Sequence, residues 1–277
     1  MKKTLIILLG LLLATSMFAD FSWLQLDLYE GIGVSNPYGG ETYNLTYFEI
    51  EGGGKTGILD FYYFVDIEHI FGVRDELKEG VAPGSYFMKI SPRLSLTKLM
   101  KRDKCFGPIK ESYISMLYKG YASGGFSGDN YYVGLGTDLA VPFFDSFSFN
   151  FYKMFQNTNI QDTAGDWEVK FEDAGWVAAI NWYTNVKKFS EDFNLTYQGW
   201  SDLGFGNTYA EDNNMDWSTG TPVPCGTATE WQMFNGFFWN YKKWSLSTSV
   251  KLHNNFLYTD MDTHDAITPW FGLHRRF

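Results

Sequence analysis

The sequence predicts an all-β fold: a single transmembrane β-barrel of about twelve antiparallel strands with short periplasmic turns and longer outer loops. Three observations predict it. Apolar residues recur at every second position in one segment after another. The connections between those segments alternate in length. Aromatic residues are 19% of the chain, matching the charged residues, yet mean hydropathy is only −0.22. No segment beyond Leu13 has the run of about 20 apolar residues that a membrane helix needs. In a barrel with an apolar outer face and a polar lumen, neighbouring side chains cancel in any average.

The first residues read as an export signal. Lys2 and Lys3 precede an almost unbroken apolar run from Leu5 to Leu13, and Ala14, Ser16 and Ala19 are small. Cleavage is expected after Ala19, which leaves one domain over residues 20–277. The net charge of −10 argues against a nucleic-acid polymer as partner, because phosphates need a basic surface.

Strands are expected near 22–34, 43–51, 57–67, 85–97, 110–119, 130–139, 146–156, 167–183, 192–200, 229–240, 243–253 and 267–277. In the first, Leu24, Leu26 and Leu28 share one face while Gln25, Asp27 and Tyr29 take the other. The third opposes Phe61, Tyr63 and Val65 to Asp60, Tyr62 and Asp66. The eleventh opposes Trp244, Leu246, Val250 and Leu252 to Ser245, Ser247, Ser249 and Lys251. The shorter connections are 52–56, 98–109, 140–145, 184–191 and 241–242, and an even strand count returns both termini to one side. Phe271, Leu273 and the terminal Phe277 share a face that Arg275 interrupts. Trp23, Tyr43, Tyr131, Trp167, Trp182, Trp200, Trp231, Trp239, Trp244 and Trp270 fall near expected strand ends, where interfacial girdles sit.

Enzymatic readings have little to stand on. The chain has four histidines (His69, His253, His264, His274) and neither a GxSxG nor an HExxH motif. A barrel hydrolase using a histidine with Ser or Asp remains an alternative. Gly52-Gly53-Gly54 reads as a tight turn between strands rather than a phosphate loop. Acidic clusters at Asp75, Glu76 and Glu79 and at Glu211, Asp212 and Asp216 lack the spacing of a calcium loop and read as solvated loop surface. No cofactor or metal is expected. Cys105 falls in a turn and Cys225 in an outer loop. The roughly 30 Å hydrocarbon layer would separate them well beyond the roughly 7 Å Cα spacing of a disulfide, so no bond between them is expected.

Alternation points Gln25, Asp27, Tyr29, Glu49, Asp60, Tyr62, Asp66, Lys89, Ser91, Arg93, Ser95, Glu111, Tyr113, Asn150, Tyr152 and Lys251 into the lumen. Acids, bases and phenols alternate there. Flat rings suit stacking, and charged groups suit hydrogen bonds to hydroxyls. The competing expectation is that these charges pair across the lumen and plug it.

At these residues the sequence resembles the nucleoside-specific channel-forming family of outer-membrane proteins (Tsx-like). The matching segments are Leu59-Asp60-Phe61-Tyr62 with Asp66, Ser91-Pro92-Arg93-Leu94-Ser95-Leu96, and Phe106-Gly107-Pro108-Ile109-Lys110-Glu111. The strongest is Tyr131-Tyr132-Val133-Gly134-Leu135-Gly136-Thr137-Asp138-Leu139. The match is firm over residues 43–155 and looser beyond; the 201–228 segment and Arg275-Arg276 depart from the family pattern. The resemblance implies a monomeric barrel in the outer membrane, passing nucleosides and deoxynucleosides by diffusion. It implies a pore lined by Glu49, Asp60, Tyr62, Asp66, Arg93, Ser95, Glu111, Tyr113 and Lys251, and outer loops open to phages or colicins. A plugged barrel serving as an adhesin or surface anchor is the other class of function.

Overall fold

A computed structural model of the protein describes residues 20–34, 42–70, 85–123, 126–161, 167–207, 215–216, 221–222, 227–255 and 266–277. At residues 123, 126–127, 158–161, 167–170, 215–216 and 221–222 it describes the backbone alone. The proposed signal segment, residues 1–19, lies outside the described residues. The chain forms β1 (Phe21–Val34), β2 (Tyr43–Thr56), β3 (Leu59–Glu68), β4 (Tyr86–Ser95), a helical turn α1 (Leu96–Leu99), β5 (Ile109–Ser123) and β6 (Phe126–Leu139). It continues through β7 (Ser146–Gln161), β8 (Trp167–Lys188), β9 (Phe193–Phe205) and a two-residue pair, β10 (Met215–Asp216) and β11 (Thr221–Pro222). It ends with β12 (Thr229–Tyr241), β13 (Trp244–Asn254) and β14 (Ala266–Arg276).

Among the described residues, twelve of these strands close into one antiparallel barrel in chain order, with the β10–β11 pair outside it. Closure comes from β1 pairing with β14, Asp27 opposite His274 and Gly31 opposite Trp270. All twelve expected strands are present. Several run further than local patterning suggests: β5 and β6 extend until only residues 124 and 125 separate them, and β8 continues to Lys188.

The Gly52–Gly54 turn is a correction. These glycines lie inside β2, and the chain turns at Gly57, whose φ is +53°. Gly52 pairs with Leu24 on one side and Tyr63 on the other. A Cβ on Gly52 would stand 2.6 Å from the Tyr63 hydroxyl, so the glycine lets the phenol lie across the sheet. The expected 98–109 turn is also partly structured, because the Ser95 hydroxyl caps α1 by accepting from Lys98 N at 3.1 Å.

Outward faces carry the apolar residues. Val133, Leu135, Phe149, Phe151, Trp239, Trp244, Leu246, Phe271 and Leu273 are exposed there, as an apolar band against lipid requires. Arg275 interrupts this band without isolation, its guanidinium 4.8 Å from the Trp244 ring and 5.5 Å from that of Phe277. The girdle expectation needs a correction. Trp23, Trp200 and Trp270 pair in register with inward residues (Gly53, Phe234 and Ser249) and face the lumen. Trp182, Trp231, Trp239 and Trp244 face outward; the Trp167 side chain lies outside the described residues. The reason is the period-two pleat, in which moving one position along a strand reverses the face.

Candidate functional site: a charged and aromatic lumen

The interior is layered along the barrel axis. At the end bearing the short turns, Arg93 of β4 bridges two acids. Its Nη2 donates to Asp60 of β3 and its Nη1 to Asp138 of β6, each at 2.8 Å. The same guanidinium lies 4.1 Å from the Tyr113 ring centre, and the Tyr113 hydroxyl donates to Asp138 at 2.7 Å. Lys55 of β2 completes the group, 2.9 Å from Asp60 and 3.7 Å from both Glu111 and Asp138. A planar fork over a phenol, gripping two carboxylates, is the geometry for which arginine and lysine are not interchangeable.

A second group stands about four residues, or about 13 Å, further along β2. Asp27 lies opposite Glu49, which in turn lies opposite Asp66, while Gln25 lies opposite Glu51. Gln25 donates to one oxygen of Glu51 at 3.0 Å and Tyr62 to the other at 2.7 Å. Beside these acids runs a line of half-buried rings. Trp23 and Tyr62 have centroids 6.2 Å apart, Tyr62 and Phe64 6.0 Å, and Phe64 and Phe87 5.6 Å. Further towards the long loops, Lys119 of β5 reaches Asp202 of β9 at 3.1 Å, a chord that skips three intervening strands.

The nine expected pore-lining residues all fall on inward-facing register positions. The structure brings Asp60, Arg93, Glu111 and Tyr113 into the first group and Glu49, Tyr62 and Asp66 into the second. Ser95 spends its hydroxyl on α1, and Lys251 sits apart with its ammonium 4.7 Å from the Trp270 ring. Alternation alone did not single out Lys55, Glu51, Phe64 and Phe87, nor Asp138 outside the family match, although each sits at an inward period-two position. Of the outer loops to which phage or colicin binding was assigned, residues 35–41, 71–84, 124–125, 162–166, 208–214, 217–220, 223–226 and 256–265 lie outside the described residues. So do Cys225 and the acidic side chains of both loop clusters; Cys105 carries a free thiol.

One constellation touches the hydrolase alternative. His274 Nδ1 lies 2.6 Å from Asp27 Oδ1, and its Nε2 lies 2.8 Å from the Ser247 hydroxyl. The order matches that of an acyl-transfer triad. Its setting differs: Asp27, His274 and Ser247 are all buried, with Tyr29 and Phe238 rings packed on the imidazole. A nucleophile needs a reachable acyl carbon and donors for an oxyanion, whereas this relay ties β1, β14 and β13 together at the closing seam.

The whole chain compares with known proteins as follows. Outer membrane protein OmpK of Vibrio parahaemolyticus is 30% identical over 259 residues, covering 91% of this chain and 85% of that one. The nucleoside-specific channel-forming protein Tsx of Klebsiella aerogenes is 29% identical over 183 residues, covering 65% of this chain and 60% of the relative. The Tsx of Salmonella typhimurium is 27% identical over 231 residues, covering 77% and 78%. The family model described as nucleoside-specific channel-forming protein, Tsx, matches residues 18–272, nearly the whole barrel, so the chain belongs to that family of outer-membrane channels.

Proposed function

We propose that this barrel passes nucleosides and deoxynucleosides across the outer membrane by passive diffusion. The observation that carries the reading is the run of half-buried lumenal rings, Trp23–Tyr62–Phe64–Phe87, beside the acids of the second group and next along the wall from the Arg93 group. A flat, uncharged base stacks on such rings, while the sugar hydroxyls find acceptors in Glu49 and Glu51 and donors in Arg93 and Lys55. Asp60, Asp66, Glu111, Tyr113 and Lys251 line the same passage; Ser95 shapes its turn end. The relatives' names support nucleosides as cargo at about 30% identity. On this reading the barrel is a monomer, the twelve strands of one chain enclosing the whole lumen.

The test is conductance in a planar bilayer. Adenosine or thymidine at millimolar concentration reduces the current, and proteoliposomes swell faster in nucleosides than in sugars of equal size. Equal swelling rates would leave a general pore and remove the nucleoside reading. The plugged-barrel alternative draws on the Lys119–Asp202 chord, and it predicts no conductance at all.

A further inference from the structure

We propose that the lumen wall holds a calcium ion between Asp27 of β1 and Glu49 and Glu51 of β2, a place distinct from the acidic outer loops. One oxygen from each of the three carboxylates lies within 4.8 Å of the others. Calcium binds oxygens at about 2.4 Å, so two oxygens on one ion stand at most about 4.8 Å apart. Magnesium, at about 2.1 Å, would draw them within about 4.2 Å. All three carboxylates can therefore reach one ion through small side-chain movements, and calcium tolerates the irregular oxygen geometry that magnesium does not.

The side chains behind the patch hold it in shape. His274, itself tied to Ser247, fixes one oxygen of Asp27, and Gln25 and Tyr62 fix Glu51. Oxygen ligands supported by outer hydrogen bonds in this way are typical of a built metal site. An independent observation points to the missing partner. Asp27 is only 1% exposed and its Oδ2 is buried with no hydrogen-bond partner, on the face shared with Glu49 and Glu51. A second buried oxygen without a partner, Oδ1 of Asp66, lies across the register from Glu49. Buried carboxylate oxygens are costly to leave without a donor or a cation. Two cations stand near the patch, Arg276 with Nη2 3.4 Å from Gln25 Oε1 and Lys251 with its ammonium over the Trp270 ring.

The experiment uses the full chain folded in detergent and stripped with EDTA. Terbium(III), which replaces calcium at oxygen sites, is added with excitation through tryptophan; Trp23 lies on the same face, two positions from Gln25. Saturable luminescence is expected, displaced by calcium and poorly by magnesium. Affinity should fall at least about tenfold in Glu49→Gln and in Glu51→Gln and stay unchanged in Glu172→Gln. Unchanged affinity in both patch variants overturns the site. Equilibrium dialysis of the wild-type protein with radioactive calcium decides independently of whether the variants fold. One equivalent per barrel at about 1 mM is expected, and less than about a tenth of an equivalent overturns the proposal.

Discussion

Arg93 lies over the Tyr113 ring, its Cζ 4.1 Å from the ring centre, and from that position grips Asp60 and Asp138 at 2.8 Å each. Four strands, β3 to β6, thereby meet at one guanidinium. Arg93→Lys keeps the charge but loses the fork and the stacked plane. It is expected to cost about 1–3 kcal/mol in urea unfolding and to weaken nucleoside block. Arg93→Ala leaves Lys55, among the described residues, as the one remaining cation for Asp60 and Asp138 and is expected to cost more than Arg93→Lys, up to about 3–5 kcal/mol. Wild-type stability in both would show that the bridge does not hold the wall.

Phe64→Ala removes one of the two inner rings of the lumenal run. Losing one stacked base contact is worth about 1–3 kcal/mol, so nucleoside block should weaken by roughly 5- to 150-fold. Phe64→Tyr keeps the flat face and should retain block. Phe151→Ala, on the outward face, serves as the control in the same current traces.

Gly272→Ala tests the seam. A Cβ there would meet His274 Nε2 at 2.6 Å and His274 Cε1 at 2.7 Å. Overpacking of this kind is expected to cost about 1–3 kcal/mol. The barrel should then lose its heat-resistant compact migration on a gel at a lower temperature than the parent.

Ser247→Ala separates a structural tie from a catalytic one. Loss of one hydrogen bond to His274 should cost about 1 kcal/mol and leave the current and its nucleoside block unchanged. Labelling of Ser247 in the parent protein by a fluorophosphonate would bring the hydrolase reading back.

Cys105 sits between α1 and β5 at the turn end, whereas the adjoining ends of β9 and β12, between which residue 225 falls in sequence, stand at the other end. Nonreducing and reducing gels should therefore show the same monomer mobility. A shift abolished by Cys105→Ser would contradict this arrangement.

Much of the fold is legible in short windows of sequence. Asp60, Tyr62 and Asp66 against Phe61, Tyr63 and Val65 already declare the inward and outward faces of β3. The pleat is a local property, and one buried or lipid-facing side fixes its phase. The misreadings had local causes as well. A triple glycine looks like a turn unless the aromatic side chains lying across it, Tyr63 and Phe61, are known to come from the next strand. A tryptophan near a strand end looks interfacial until register shows that its pleat position faces inward.

Period-two patterning was therefore enough for the strands, their faces, and a mixed-charge lumen with phenols in it. Only the closed sheet decided which of those inward residues meet. Arg93 and Asp138 are 45 residues apart in the chain, and Asp27 and His274 are 247 apart. Their meeting depends on strand register summed around the barrel and on the pairing of β1 with β14, which no short window contains. Side-chain alternation is a property of one strand, whereas a site assembled in the lumen is a property of all twelve.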